Sequence, residues 1–299
     1  MNNKIYCIVI SLLLLSFLAE AQSFYATKRE RSLILTGGLG TSTYLGDLAN
    51  RTVIPNVDPN INIGLQYYFT NRISARAEVN WFTLAGDDKE ATGGGRNVRN
   101  LSFQSSCFEL SAVGMVNLFA HGDRYYRRPN YNVYGFAGIG LMYFNPKATY
   151  KGTSYALQSL QTEGVAYSLV TPTIPFGLGF RLKVTPQFNI SLEAGFRKTF
   201  TDYLDDVSTV YQDVSAFTGP DAATAIALAD RRAEIDPSVI PKAGDKRGDP
   251  TNNDGYILLN AKIEYYLPWD FGGGSNRKSY SNKRKSNYRY NKKGGVRRK

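Results

Sequence analysis

Apolar and polar residues alternate one for one along most of this chain. Phe188, Ile190, Leu192, Ala194 and Phe196 interleave with Asn189, Ser191, Glu193, Gly195 and Arg197. Ile73, Ala75, Ala77, Val79 and Trp81 interleave with Arg72, Ser74, Arg76, Glu78 and Asn80. Phe176, Leu178, Phe180, Leu182 and Val184 repeat the pattern against Gly177, Gly179, Arg181 and Lys183. A period of two puts each set on its own face of a strand. It predicts eight strands, at 32–44, 59–70, 71–84, 99–119, 131–144, 172–185, 187–199 and 255–267. The fourth changes phase between Phe103 and Phe108, which a bulge near Ser105–Ser106 would repair.

The connections alternate as well. Thr70-Asn71 and Thr185-Pro186-Gln187 are tight, and His121 to Asn130 is moderate. The intervening segments 45–58, 85–98, 145–171 and 200–254 are long. In an antiparallel barrel all the long loops gather at one rim and all the short turns at the other. Within 200–254 the Ala-rich run from Asp221 to Glu234 predicts a short surface helix. Gly93-Gly94-Gly95 marks a loop tip and not a phosphate cradle, because no strand, Gly-rich turn and helix surround it.

Alternation of this kind suits either a sheet packed on a core in water or a barrel with lipid outside and a polar lumen inside. Two features select the barrel. The strands are about ten residues or longer, enough to cross a bilayer at a tilt. The N-terminus also reads as a secretory signal peptide: Lys4, the apolar run Ile5 to Leu18, then Ala19-Glu20-Ala21 before Gln22. That run is only 14 residues, too short for a spanning helix. Cys7 lies inside it and gives no lipoprotein signature. The expected fold is therefore all-β: an eight-stranded antiparallel transmembrane β-barrel with long outer loops and a disordered basic C-terminal tail. Its expected divisions are a signal peptide over 1–21, the barrel over 22–271 and the tail over 272–299. The expected location is a bacterial outer membrane, with both termini in the periplasm.

Composition refines this reading. Cleavage leaves one cysteine, Cys107, so no internal disulfide staples the fold. The formal net charge is +11. The excess sits in eleven cations of the tail, Arg277, Lys278, Lys283, Arg284, Lys285, Arg289, Lys292, Lys293, Arg297, Arg298 and Lys299, among which there is no Asp or Glu. Without apolar periodicity such a segment stays unfolded in isolation. Tyr280, Tyr288 and Tyr290 among the cations are also compatible with nucleic acid. An exported tail instead favours an acidic protein, peptidoglycan or anionic lipid, with a solvated tail that has no partner left open, and no nucleic-acid partner is expected.

Inward Arg72, Arg76, Glu78, Arg181, Lys183, Glu193, Lys262 and Glu264 are expected to fill the lumen with ion pairs. A barrel of eight strands is narrow enough for side chains to fill, which argues against a wide pore. The sole histidine, His121, falls on the short-turn rim. A Ser-His-Asp arrangement at the long-loop rim therefore cannot form. An enzyme using Asp alone stays open, but no enzyme, cofactor, metal or small-molecule substrate is expected. Three distinctive segments follow odd-numbered strands and so share the long-loop rim. They contain Tyr44, Gly46 and Asp47; Asn145, Pro146 and Lys147; and Arg197, Lys198, Asp202, Tyr203, Asp205 and Asp206. Asp47, Asp202, Asp205 and Asp206 are expected to pair with Lys147, Arg197 and Lys198, pinning the loops as a plug. The spacing of the aspartates does not match a known calcium loop. Ordinary rim structure and a partner-binding surface both remain open for these residues.

The same segments carry a resemblance. Gly40 to Asp47 (GTSTYLGD), Arg99 to Phe103 (RNLSF), Phe144 to Ala148 (FNPKA), Leu157 to Gly164 (LQSLQTEG), Pro175-Phe176-Gly177 and Arg197 to Ser208 (RKTFTDYLDDVS) are similar to the PorG-like outer-membrane barrel of the type IX secretion system. The resemblance spans about 40 to 210 and leaves the basic tail unmatched. It implies a non-enzymatic component that tethers a periplasmic ring, built from a lipoprotein and its soluble partner, to the outer membrane. A small outer-membrane pore or an adhesin is the alternative.

Overall fold

A computed structural model describes residues 32–49, 58–90, 96–122, 125–236, 238 and 242–268. The expected signal peptide, the Gly93–Gly95 tip and the tail 272–299 lie outside the described residues.

Eight long antiparallel strands close on themselves: β1 (Leu33–Leu45), β2 (Asp58–Tyr68), β3 (Ile73–Asp87), β4 (Ser102–Asn117), β5 (Tyr131–Tyr143), β8 (Val170–Lys183), β9 (Phe188–Thr199) and β10 (Gly255–Tyr266). The short hairpin β6 (Pro146–Tyr150) and β7 (Thr153–Ala156) hangs on the upper end of β4. Each barrel strand pairs with its neighbour in sequence, and β1 meets β10 to close the ring. The register fixes the shape. Starting from Phe82, the paired residues run Asn60, Gly40, Asn260, Glu193, Gly179, Tyr134 and Asn117, and Asn117 then bonds to Arg72 on the original strand. The walk returns ten positions lower (82 − 72). That stagger over eight strands corresponds to a strand tilt of ~40°.

The outward residues form the apolar belt. Leu39 is 65% exposed, Leu178 66% and Ile139 72%. Along β4 the outward row runs from Phe108 through Leu110 and Val116 to Leu118 just beyond its end, all exposed. Ten residues at this tilt rise ~25 Å, the height of a lipid-facing band. Aromatic rings border it: Tyr67, Phe69, Phe119, Tyr131 and Phe188 near the short turns, and Trp81, Phe108 and Tyr143 near the long loops. Such rings sit where hydrocarbon gives way to headgroups.

The interior is bridged across its full width at three levels. Order around the ring places β3 opposite β9, β2 opposite β8 and β10 opposite β4. At mid-height Arg76 on β3 binds Glu193 on β9 through two bonds, at 2.5 and 2.8 Å. Glu78, Lys262 and the Tyr134 hydroxyl complete that network. Below it, Arg181 on β8 donates to Tyr68 on β2 (2.9 Å) and to Asn117 (2.8 Å), and pairs with Glu264. Above it, the Tyr256 hydroxyl on β10 donates to Glu109 on β4. Two expected lumen residues are elsewhere. Arg72 sits exposed in the turn before β3, and Lys183, at the end of β8, reaches the Tyr126 carbonyl of the short-turn rim (2.8 Å).

The expected bulge is absent. β4 pairs with β3 in one unbroken register from Ser102 to Val116, with alternate residues buried throughout. The apparent phase change arises because the interior itself changes character. Phe103 and Cys107 point inward, as Glu109 does, but into an apolar plug beneath the long loops.

Candidate functional site

The plug is assembled from eight separate stretches of chain. Phe82, Phe103, Phe144, Leu204, Val207 and Leu228 are all buried in one cluster with Tyr44 and Leu157. The expected helix forms at Ala222–Ala229, but it is no free surface element: Ala225, Leu228 and Ala229 are buried, and Leu228 joins the plug.

Polar bonds hold these stretches in place, and the residues of the three rim segments supply many of them. In the first segment, the Tyr44 hydroxyl donates to Asp254 Oδ1 (2.7 Å). Asp47 Oδ2 accepts from the Asp249 amide (2.6 Å), and the Leu48 amide donates to Asp205 Oδ2 (3.1 Å). In the third, Asp205 Oδ1 accepts from the Val207 amide (2.9 Å), and Asp206 Oδ1 accepts from the Tyr167 hydroxyl (2.7 Å). Tyr203 stacks on Tyr167 with centroids 4.7 Å apart. The long loops are thereby sewn to one another and to the barrel mouth.

Of the expected aspartates, Asp47, Asp205 and Asp206 pin the loops, none of them through Lys147, Arg197 or Lys198, and Asp202 is buried with a hydrogen bond to Ser208. Lys147 and Lys198 occupy outward positions of their strands and are exposed, so neither turns toward the plug. Arg197 points down into the lumen, donating to the Gly195 carbonyl (2.8 Å) and lying 3.8 Å from Glu109. The cations at work are Arg99 and Arg247. Arg99 makes a forked pair with the fully buried Asp88 (2.6 and 2.8 Å) and donates to the carbonyls of Asp47 and Arg247. Arg247 pairs with Glu163 at 2.8 Å and lies 3.6 Å from Asp206. Glu163 in turn accepts from the amides of Ser208 and Thr209. Arg99 and Glu163 lie within segments that carry the resemblance; Asp88, Arg247 and Asp254 sit in loop stretches without periodicity, and nothing in their spacing singled them out.

Asp205 and Asp254 receive hydrogen bonds but no cation, and both are buried. Burial, with the charge of Asp47 adding to it, pushes Asp205 up to about 8. Burial and the charge of Asp205 hold Asp254 well above the carboxylate range. Burial raises Asp206 to about 6 even beside Arg247. Among the described residues no group of three or more His, Cys, Asp or Glu is placed to hold a metal ion. His121 is buried at the opposite mouth, its ring 4.8 Å from that of Tyr68.

Some residues of the segments remain open to a partner. Asn145 is half-buried and Pro146 is buried, whereas Gly46, which lies against Tyr44, is exposed on the rim with Lys147, Lys198 and Phe200.

Similar folds occur in solved structures. Neisserial surface protein A aligns with a TM-score of 0.40 at 8% identity, covering 79% of this chain and 97% of that one. The outer membrane protein OprG of Pseudomonas aeruginosa aligns at 0.39 and 9%, covering 79% and 96%. Ail of Yersinia pestis, an attachment invasion locus protein, aligns at 0.36 and 12%, covering 78% and 97%. These likenesses concern the fold alone. No curated protein matches the sequence. A family model described as a domain of unknown function, DUF6089, matches residues 5–218, well over half of the chain. The chain belongs to the DUF6089 family.

Proposed function

We propose that this protein is a non-enzymatic component of the type IX protein secretion machinery in a bacterial outer membrane. In this reading the termini are periplasmic, and the short-turn rim with the basic tail 272–299 tethers a periplasmic ring of lipoprotein and soluble partner. One observation supports it most: the segments that resemble the PorG-like barrel pack into or around a buried clamp over a lumen already bridged across its width. Such a body is stiff and filled. Its free chemistry lies on its outer surfaces and in the tail, as a scaffold requires. A pore would need an open bore, and diametric bridges such as Arg76–Glu193 oppose one.

The test is crosslinking in native membranes followed by pull-down of the full chain. The ring lipoprotein and its soluble partner are expected among the captured proteins, and a chain ending at residue 271 should capture less of both. Capture of neither by the full chain contradicts the role. Full capture by the shortened chain contradicts the tail as tether.

A further inference from the structure

The outer wall of the barrel carries a cavity of about 510 Å³ where β3, β4 and β5 leave the apolar belt and the β6–β7 hairpin begins. Three levels build it. The lowest is an aromatic row: Trp81, Phe108 and Tyr143 are direct cross-strand neighbours, each 45–49% exposed. Two residues higher come the paired Thr83 and Ser106, with Asn145 alongside. Two residues higher again, Gln104 pairs with Lys147 on β6. Each step is ~6.7 Å along the strand, so the cation stands ~13 Å beyond the aromatic row before the tilt is counted. The concavity exists because β5 stops at Tyr143 and the next residues turn aside to start β6, while β4 runs on past it.

The chemistry of the walls is directional. The FNPKA segment divides by alternation: Phe144, Pro146 and Ala148 are buried, while Asn145 and Lys147 line the cavity. Lys147 forms no ion pair among the described residues, and no carboxylate lines the cavity. The Asn145 Oδ1 atom is buried without a hydrogen-bond partner. Trp81 Nε1 donates to Ser106 Oγ at 3.0 Å, which ties the indole on β3 to β4. Aromatic residues at this height mark the edge of the hydrocarbon. A site that begins there and ends on a lysine and amides ~13 Å further out spans the headgroup layer.

We infer that this cavity binds the phosphate-bearing, hydroxyl-rich headgroup of a membrane lipid in the leaflet that meets the long-loop rim. The acyl chains would lie on Leu110 and its neighbours, the phosphate on Lys147, and the hydroxyls on Asn145, Gln104 and Ser106. A free anion would gain nothing from the aromatic row, and the strand edge that borders the cavity, β7, is only four residues long.

Trp81 is its own reporter, since the chain holds only one other tryptophan, Trp269, removable as Trp269→Phe. The full chain, refolded in neutral detergent micelles, is titrated with diphosphoryl lipid A, phosphatidylcholine and inorganic phosphate. A saturable change in emission is expected for lipid A alone. Lys147→Glu should weaken it about tenfold or more, since a charge-assisted hydrogen bond is at stake. Lys147→Gln, which keeps the stem, should weaken it in the same direction, and Lys198→Glu should leave it unchanged. Retention of the compact barrel's mobility on unheated gels confirms folding of each variant. An equal response in the Lys147 variants, an equal response to inorganic phosphate, or no response to lipid A overturns the assignment.

Discussion

A Cβ at Gly46 would meet both the Tyr44 hydroxyl and Asp254 Oδ1, so the bond between those two exists only because position 46 lacks a side chain. Asp254 is buried, and its other oxygen accepts from the Leu204 amide (3.0 Å). Gly46→Ala therefore strikes at the link between β1 and the 200–254 loop. Separating a buried pair of this kind costs ~1–3 kcal/mol. Limited proteolysis should cut the 200–254 loop faster in the variant, with the barrel core still protected; unchanged cleavage would contradict the clamp. Asp205 makes a second prediction. Its neighbours are Tyr44, Asp47, Asp254 and Arg99, and its folded value of about 8 lies above the ordinary 3.8. The folded clamp thus holds a proton that the released loop gives up. Its contribution to stability is full below about pH 4 and is lost as pH rises through about 8. Asp206, at about 6, acts in the same sense. Protection of the loop should fall between those limits. Asp205→Asn, permanently neutral, should flatten the fall; a profile as steep as that of the unmodified chain would show that Asp205 is not its source.

At the scale of elements, the eight barrel strands were legible because lipid on one side and water-like chemistry on the other enforce alternation. Predicted and observed limits of β8 to β10 differ by two residues or fewer, and even the weakly alternating β5 ends within one residue of its expected limit. β4 misled for a physical reason. Its inward row passes from Glu109 in the charged lumen to Cys107 and Phe103 in the plug. The alternation stays intact while the polarity it reports reverses, and a pattern of hydropathy alone cannot separate that from a bulge. The β6–β7 hairpin was concealed within an expected loop, although Lys151-Gly152 carried a signal. Both residues have positive φ (49° and 81°), as a tight two-residue hairpin turn demands. The rim aspartates were recognised and their partners were not. Arg247 and Asp254 lie 41 and 49 residues beyond Asp206 and Asp205, and only the closed ring brings them together.

As a whole, the molecule is a barrel filled from mouth to mouth. An apolar plug lies under the long loops, a network of ion pairs crosses the middle, and Tyr68, Tyr266 and Ile34 pack beside Tyr125 at the short-turn rim. There Arg128 lies 4.4 Å over the Tyr266 ring and donates to Asn189 (2.9 Å) and to the Pro186 carbonyl (2.7 Å). Charges buried in this way persist only because each is ion-paired or hydrogen-bonded, and removing one partner strands the other. The filling opposes an open bore, as the proposed scaffold role requires, and electrical recording reads it without reference to any partner. Purified full-length protein inserted in planar lipid bilayers should give a flat baseline, broken at most by brief flickers. Arg76→Ala combined with Glu193→Ala, which removes the mid-height bridge, should raise the frequency of openings. A large, steady conductance from the unmodified chain would contradict the account.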